Sequence, residues 1–106
     1  MAKATEAQFS VGEVVRHNRF GYRGVVVDVD ATFNLSEEWY EQVARSRPPK
    51  DKPWYHVLVH EAGHTTYVAE RHLEAESEPQ QIDHPMLGEH FDRFVNGRYG
   101  KRSNVN

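Results

Sequence analysis

Trp54-Tyr55-His56-Val57-Leu58-Val59, His60-Glu61-Ala62-Gly63-His64 and Thr65-Thr66-Tyr67-Val68-Ala69-Glu70 follow one another without a break, and the fold turns on how they are read. The two flanks are rich in β-branched and aromatic residues, which suit a pleated, half-buried surface. Tyr55, Val57 and Val59 fall on one face at period two. The centre has the His-Glu-x-x-His spacing of zinc proteases. There, histidines at i and i+4 on one helix face hold the metal and the glutamate acts as base. That chemistry requires a helix. Both flanks favour strand, and Gly63 costs a helix about 1 kcal/mol relative to alanine. No third ligand stands at the spacing those enzymes use. The stretch therefore reads as two strands joined by a hairpin tip, with no metal assigned to it.

A second hairpin is legible upstream. Phe9, Val11, Val14 and Val15 lead into Arg16-His17, and Phe20-Gly21-Tyr22-Arg23-Gly24 reads as a turn with two glycines. In Val25-Val26-Val27-Asp28-Val29-Asp30 the alternation places Val25, Val27 and Val29 on one face and the two aspartates on the other. This predicts a strand with a single buried face. Leu35-Ser36-Glu37-Glu38-Trp39-Tyr40 reads as a helix start, with Ser36 as N-cap and two acids at the positive end of the helix dipole. The helix must end before Pro48-Pro49. Arg45 to Pro53 is then a mobile basic loop. Ile82 to Val95 is expected to hold one short helix, with Pro85 near its first turn and Asn96-Gly97 ending it. The pattern predicts a mainly β chain, a small SH3-like or Tudor-like barrel with one or two short helices. The domain is expected over residues 9–95, between a flexible N-terminus at 1–8 and a flexible tail at 96–106.

The 106 residues fit one domain with one modest core. The absence of cysteine excludes disulfides, thiolate metal sites and thiol nucleophiles. No aliphatic run is longer than three residues, as in Val25-Val26-Val27, which is far too short to span a membrane. The polar N-terminus lacks the apolar run of a signal peptide, so the expected location is cytoplasmic. A net charge of −3 argues against strong nonspecific nucleic-acid binding. The charge is uneven, however, since residues 31–80 hold nine acids against five bases while Arg16, Arg19 and Arg23 cluster with His17.

Ser10, Ser36 and the scattered acids form no recognisable triad, no glycine-rich phosphate loop is present, and no cofactor is expected. The seven histidines read as surface or structural residues. Asp28 and Asp30 read as a solvated strand edge or as partners of a neighbouring arginine. Tyr22, Trp54 and Tyr55 either fill the core or form a recognition surface, because aromatic rings anchor interfaces and stack on bases. The candidate DNA- or partner-binding set is thus Arg16, His17, Arg19, Tyr22, Arg23, Trp54 and Tyr55.

Four ordered segments together carry a family likeness: Val15-Arg16-His17; Gly21-Tyr22-Arg23-Gly24-Val25-Val26 with Asp30; Trp54-Tyr55-His56-Val57; and Thr66-Tyr67-Val68-Ala69-Glu70. Over about residues 9–95 the chain resembles the HspQ family of bacterial heat-shock proteins, the YccV-like hemimethylated-DNA-binding family. The resemblance implies a small β-barrel that forms a homo-oligomer and has no catalytic motif. It also implies links to the heat-shock response, to hemimethylated DNA, to turnover of the replication initiator DnaA, and to the Lon protease as specificity factor and substrate. The leading expectation is a non-enzymatic regulator of stress proteolysis that partners a Lon-type protease and its substrates. The alternative is a DNA-binding module that prefers hemimethylated sites through Arg16, Arg19, Arg23 and Tyr22. A zinc hydrolase is a third reading, carried only by the His60–His64 string.

Overall fold

A computed structural model describes residues 6–101. Strand β1 (Val14–His17) turns into β2 (Arg23–Asp30), and helix α1 (Glu37–Val43) follows. The hairpin β3 (Trp54–Val59) and β4 (Thr65–Ala69) comes next. A 3-10 turn at Glu70–His72 leads into β5 (Leu73–Ala75), and the chain continues through α2 (Leu87–His90), β6 (Arg93–Val95) and β7 (Arg98–Gly100). The mainly β reading holds.

The first five strands form one antiparallel sheet in the order β4-β3-β2-β1-β5, and β6 and β7 form a separate hairpin. Edge strands β4 and β5 are joined by only the three residues of the 3-10 turn. Four residue steps reach at most about 14 Å. In a flat sheet four inter-strand spacings would separate those edges by about 19 Å. The sheet must therefore curl until its edges approach. It is a rolled, open sheet, since both β4 and β5 remain edge strands.

The expectation of a single buried sheet face is overturned. On the inner face Val15, Val26, Tyr55, Val57, Val68 and Leu73 pack with Phe9. On the outer face Val14, Val25 and Leu58 pack beneath Ile82, Phe91 and Tyr99 of the C-terminal segment. Further along, α1 residue Tyr40 and the adjoining Ala44 cluster with Trp54, Tyr67 and Ala69. A β-bulge between Val26 and Asp28 breaks the period-two reading of β2. Val26 pairs with Val57 and Val29 with Tyr55, so these two valines share the inner face while Val25 opposes Leu58 on the outer one. Gly24 is required at the start of β2, because a Cβ there would overlap Val57 Cγ1 and the Leu58 carbonyl oxygen.

Helix α1 starts as read, with Ser36 Oγ accepting from Trp39 N at 3.1 Å. The following loop is tied down: Tyr40 donates to Pro48 O at 2.6 Å and the Trp54 indole N–H to Pro49 O at 3.1 Å.

The one short helix expected within 82–95 is the single turn of α2, which ends at His90 and not at Asn96-Gly97. Asn96 and Gly97 both take positive φ, 55° and 77°, and close the β6–β7 hairpin. Two successive residues with positive φ suit a tight hairpin turn, for which Asn-Gly is a strong signal. The packed domain accordingly extends past the expected boundary at 95. Tyr99 is buried and its hydroxyl accepts from Ile82 N at 2.7 Å. Residues 1–5 and 102–106 of the two expected tails lie outside the described residues. No helix among the described residues is long and apolar enough to cross a membrane.

Candidate functional site

The β1–β2 turn builds one wall of a cleft. His17 ends β1, and its Nδ1 accepts hydrogen bonds from Arg19 N and Phe20 N, both at 3.1 Å. These bonds fix the turn and project Phe20 outward, where it is 73% exposed. The His17 ring stacks on Phe20 with centroids 4.6 Å apart and lies nearly parallel to His72 at 5.4 Å. Tyr22 closes the group at 5.0 Å from His17. The opposite wall comes from α1 and the residues after it, including Trp39, Val43 and Arg45, and Tyr67 contributes from β4. Together these segments enclose about 310 Å³. Arg19 and Arg45 are among the lining residues, and no aspartate or glutamate is.

Burial sets the chemistry of the imidazoles. His17 is pushed down to about 4, first by desolvation and then by its neighbours His72 and Arg19. His72 is also lowered, by burial and by Arg71 and Arg19. Its Nε2 lies 2.8 Å from Ser46 Oγ, which ties the 3-10 turn to the loop after α1. Tyr22 is raised, with burial the main cause. At neutral pH the cleft therefore presents uncharged rings, and among the described residues that line it the only formal charges are the two guanidinium groups.

The sequence-derived candidates separate. His17, Arg19, Tyr22 and Trp54 line the cleft. Trp54 lies in its floor, only 2% exposed and stacked on Tyr67 at 5.2 Å. Arg16 does not line the cleft. It donates from Nε and Nη2 to the Glu76 carboxylate at 3.1 and 3.3 Å, and from Nη1 to Gly21 O at 3.1 Å. Arg23 points to the C-terminal segment, where Nη1 donates to Gln80 O at 3.3 Å. Tyr55 is fully buried on the inner face, bonded to Glu70 and to Phe9 N. It is a core residue, which corrects its place in the candidate set. Phe20, Trp39, Arg45 and His72 belong to the site although the sequence pattern does not single them out. Phe20 gives a signal as a large apolar residue inside a glycine turn. The other three give none without the fold.

The His60–His64 string lies at a strand–turn–strand junction, and Glu61 there has a φ of 60°. His60 Nδ1 accepts from Asp83 N at 2.9 Å, while the His64 carbonyl is bonded to His84 Nε2 at 2.9 Å. The hairpin-tip reading holds, and both histidines anchor the C-terminal segment. Among the described residues, Asp28, Asp30 and His56 bring potential metal-ligating atoms within 4.8 Å of one another. Asp30 Oδ2 already takes the Tyr67 hydroxyl at 2.6 Å and lies 3.2 Å from His56 Nε2. Asp30 thus pairs with a histidine and a tyrosine in place of the expected arginine.

Residues 7–98 match the model of the family described as hemimethylated DNA-binding protein YccV like. The chain belongs to the YccV-like family. The domain also resembles part of F-box only protein 21. It is 35% identical over 99 residues to the mouse protein and 34% identical to the human and Pongo abelii proteins. Each alignment covers 92% of this chain and 16% of the relative, so this YccV-like chain spans under a fifth of those proteins' length.

Proposed function

We propose that this chain is a non-enzymatic DNA-binding module that prefers hemimethylated sites and contacts DNA through the cleft and the β1–β2 turn. The observation that carries the reading is the cleft lining: in a chain of net charge −3, it has two arginines and a series of aromatic rings but no carboxylate. Neither Arg19 nor Arg45 makes an ion pair among the described residues. Unpaired guanidinium groups suit phosphates, and exposed rings suit bases. The description of the family supports the same reading.

The test is equilibrium binding of labelled hemimethylated, fully methylated and unmethylated duplexes over a salt series. Arg19→Ala and Arg45→Ala should each weaken binding and flatten the salt slope by about 1, the loss of one phosphate contact. Equal affinity for the three duplexes would remove the preference for hemimethylated DNA.

A second reading, a regulator of stress proteolysis acting on a Lon-type protease, is favoured by one feature. Phe20 and Val43, 73% and 56% exposed, put apolar surface on the two walls of the cleft. Purified protease should then degrade selected substrates faster with the chain present, and Phe20→Ser should abolish the effect. Unchanged turnover of every substrate would count against it.

A further inference from the structure

We infer that the cleft takes a single nucleobase turned out of the DNA stack, its face against the aromatic walls and an acceptor on its edge hydrogen-bonded to the Nε2–H of His17. The inference rests on the DNA-binding reading above and goes further by naming what enters the cleft.

The polar anchor comes from the hydrogen bonds of the turn. His17 Nδ1 accepts two backbone N–H groups, so it carries no proton and the ring proton must sit on Nε2. The residue is 5% exposed, and its Nε2 has no partner among the described residues. No buried side-chain nitrogen or oxygen among the described residues is cut off from solvent without a partner, so this N–H keeps an opening. His17 is itself one of the residues that line the cleft. A donor held rigidly by two bonds and a ring stack, and left unpaired, is a preorganised contact for a ligand acceptor.

Size and charge restrict the occupant further. About 310 Å³ is at the small end of the range for small-molecule sites, roughly 300–1,000 Å³. It suits one flat ring system and not a length of strand. Phe20, Tyr22, Trp39 and His72 are aromatic lining residues, and stacking on aromatic rings is tolerant of base identity. Arg19 and Arg45, with no lining carboxylate, favour a ring attached to a polyanion over an aromatic side chain of a peptide.

The experiment uses the full chain and fluorescence anisotropy with three hemimethylated duplexes. One is fully paired, one carries a single mispair at the modified position, and one has an abasic site there. Extrusion costs least for a mispaired base, so the mispaired duplex should bind about tenfold tighter than the paired one. The abasic duplex should lose that gain. Trp39→Ala should bring mispaired and paired affinities within about twofold of each other, as one stacking face is lost. His17→Asn supplies a second variant that keeps an acceptor for the turn and deletes the Nε2–H, and it should reduce the gain severalfold. Salt-dependent binding that is equal for the three duplexes would overturn the nucleobase inference and leave the DNA reading standing. Absence of binding to any duplex would overturn both.

Discussion

Lowering the pH from 7 to 4.5 acts on His17 through its depressed proton affinity. In the unfolded chain its imidazole takes up a proton near 6.5, whereas in the folded chain it does so only near 4. Between those values the unfolded state binds the extra proton, so stability falls as pH drops through this window. Above about 6.5 the imidazole is neutral in both states and the contribution is constant and complete. Each pH unit crossed inside the window removes about 1.36 kcal/mol, so at pH 4.5 the loss from this one group is about 2.5 kcal/mol. That is a large part of the roughly 5–15 kcal/mol that holds a small domain together. His72 is lowered in the same direction and adds to the loss.

Urea unfolding followed by the fluorescence of Trp39 and Trp54, at half-unit pH steps, measures the effect. The matched variant is His17→Asn, whose amide oxygen can still accept from Arg19 N and Phe20 N but cannot titrate. It should be less stable at pH 7, by about 1 kcal/mol for the lost ring stacking. Between pH 7 and 4.5 it should lose about 2.5 kcal/mol less than the parent. Parallel stability curves for the two proteins would refute the claim that the turn keeps His17 neutral.

Three further outcomes follow from packing and pairing. Tyr99→Phe removes the acceptor that satisfies Ile82 N in a buried site; it should cost about 1–3 kcal/mol in urea unfolding with little change in secondary structure. Gly24→Ala forces a methyl group into Val57 and the Leu58 carbonyl, and should lower stability by about 1–3 kcal/mol or more, read as a drop in Tm. Arg16→Ala breaks the clamp on Glu76 outside the cleft, so DNA affinity should stay within about twofold of the parent while Arg19→Ala weakens it.

How much is legible in advance differs from element to element. The β3–β4 hairpin is readable because two β-rich runs flank a glycine-containing turn, and this outweighs the protease-like spacing between them. Ser36 is readable as an N-cap because its bond to Trp39 N is local. The Asn96-Gly97 turn is misread as a helix end. The dipeptide suits both roles, and only the pairing of Phe94 with Tyr99 selects the hairpin. The second buried face of the sheet is illegible, because the residues that cover it come from 82–99 and show no regular period.

By itself the sequence determined the mainly β class, the β1–β2 and β3–β4 hairpins, the start of α1 and the family likeness. All of these depend on residues close in the chain or on ordered local motifs. Tertiary structure decided that Arg16 and Arg23 are spent on Glu76 and Gln80 while Arg19 faces the cleft. It also brought Phe20, Trp39, Arg45 and His72 together from three separated segments. The physical reason is that propensity and periodicity act over a few residues. A cleft exists only once the curled sheet, the tied loop after α1 and the 3-10 turn have been packed against one another.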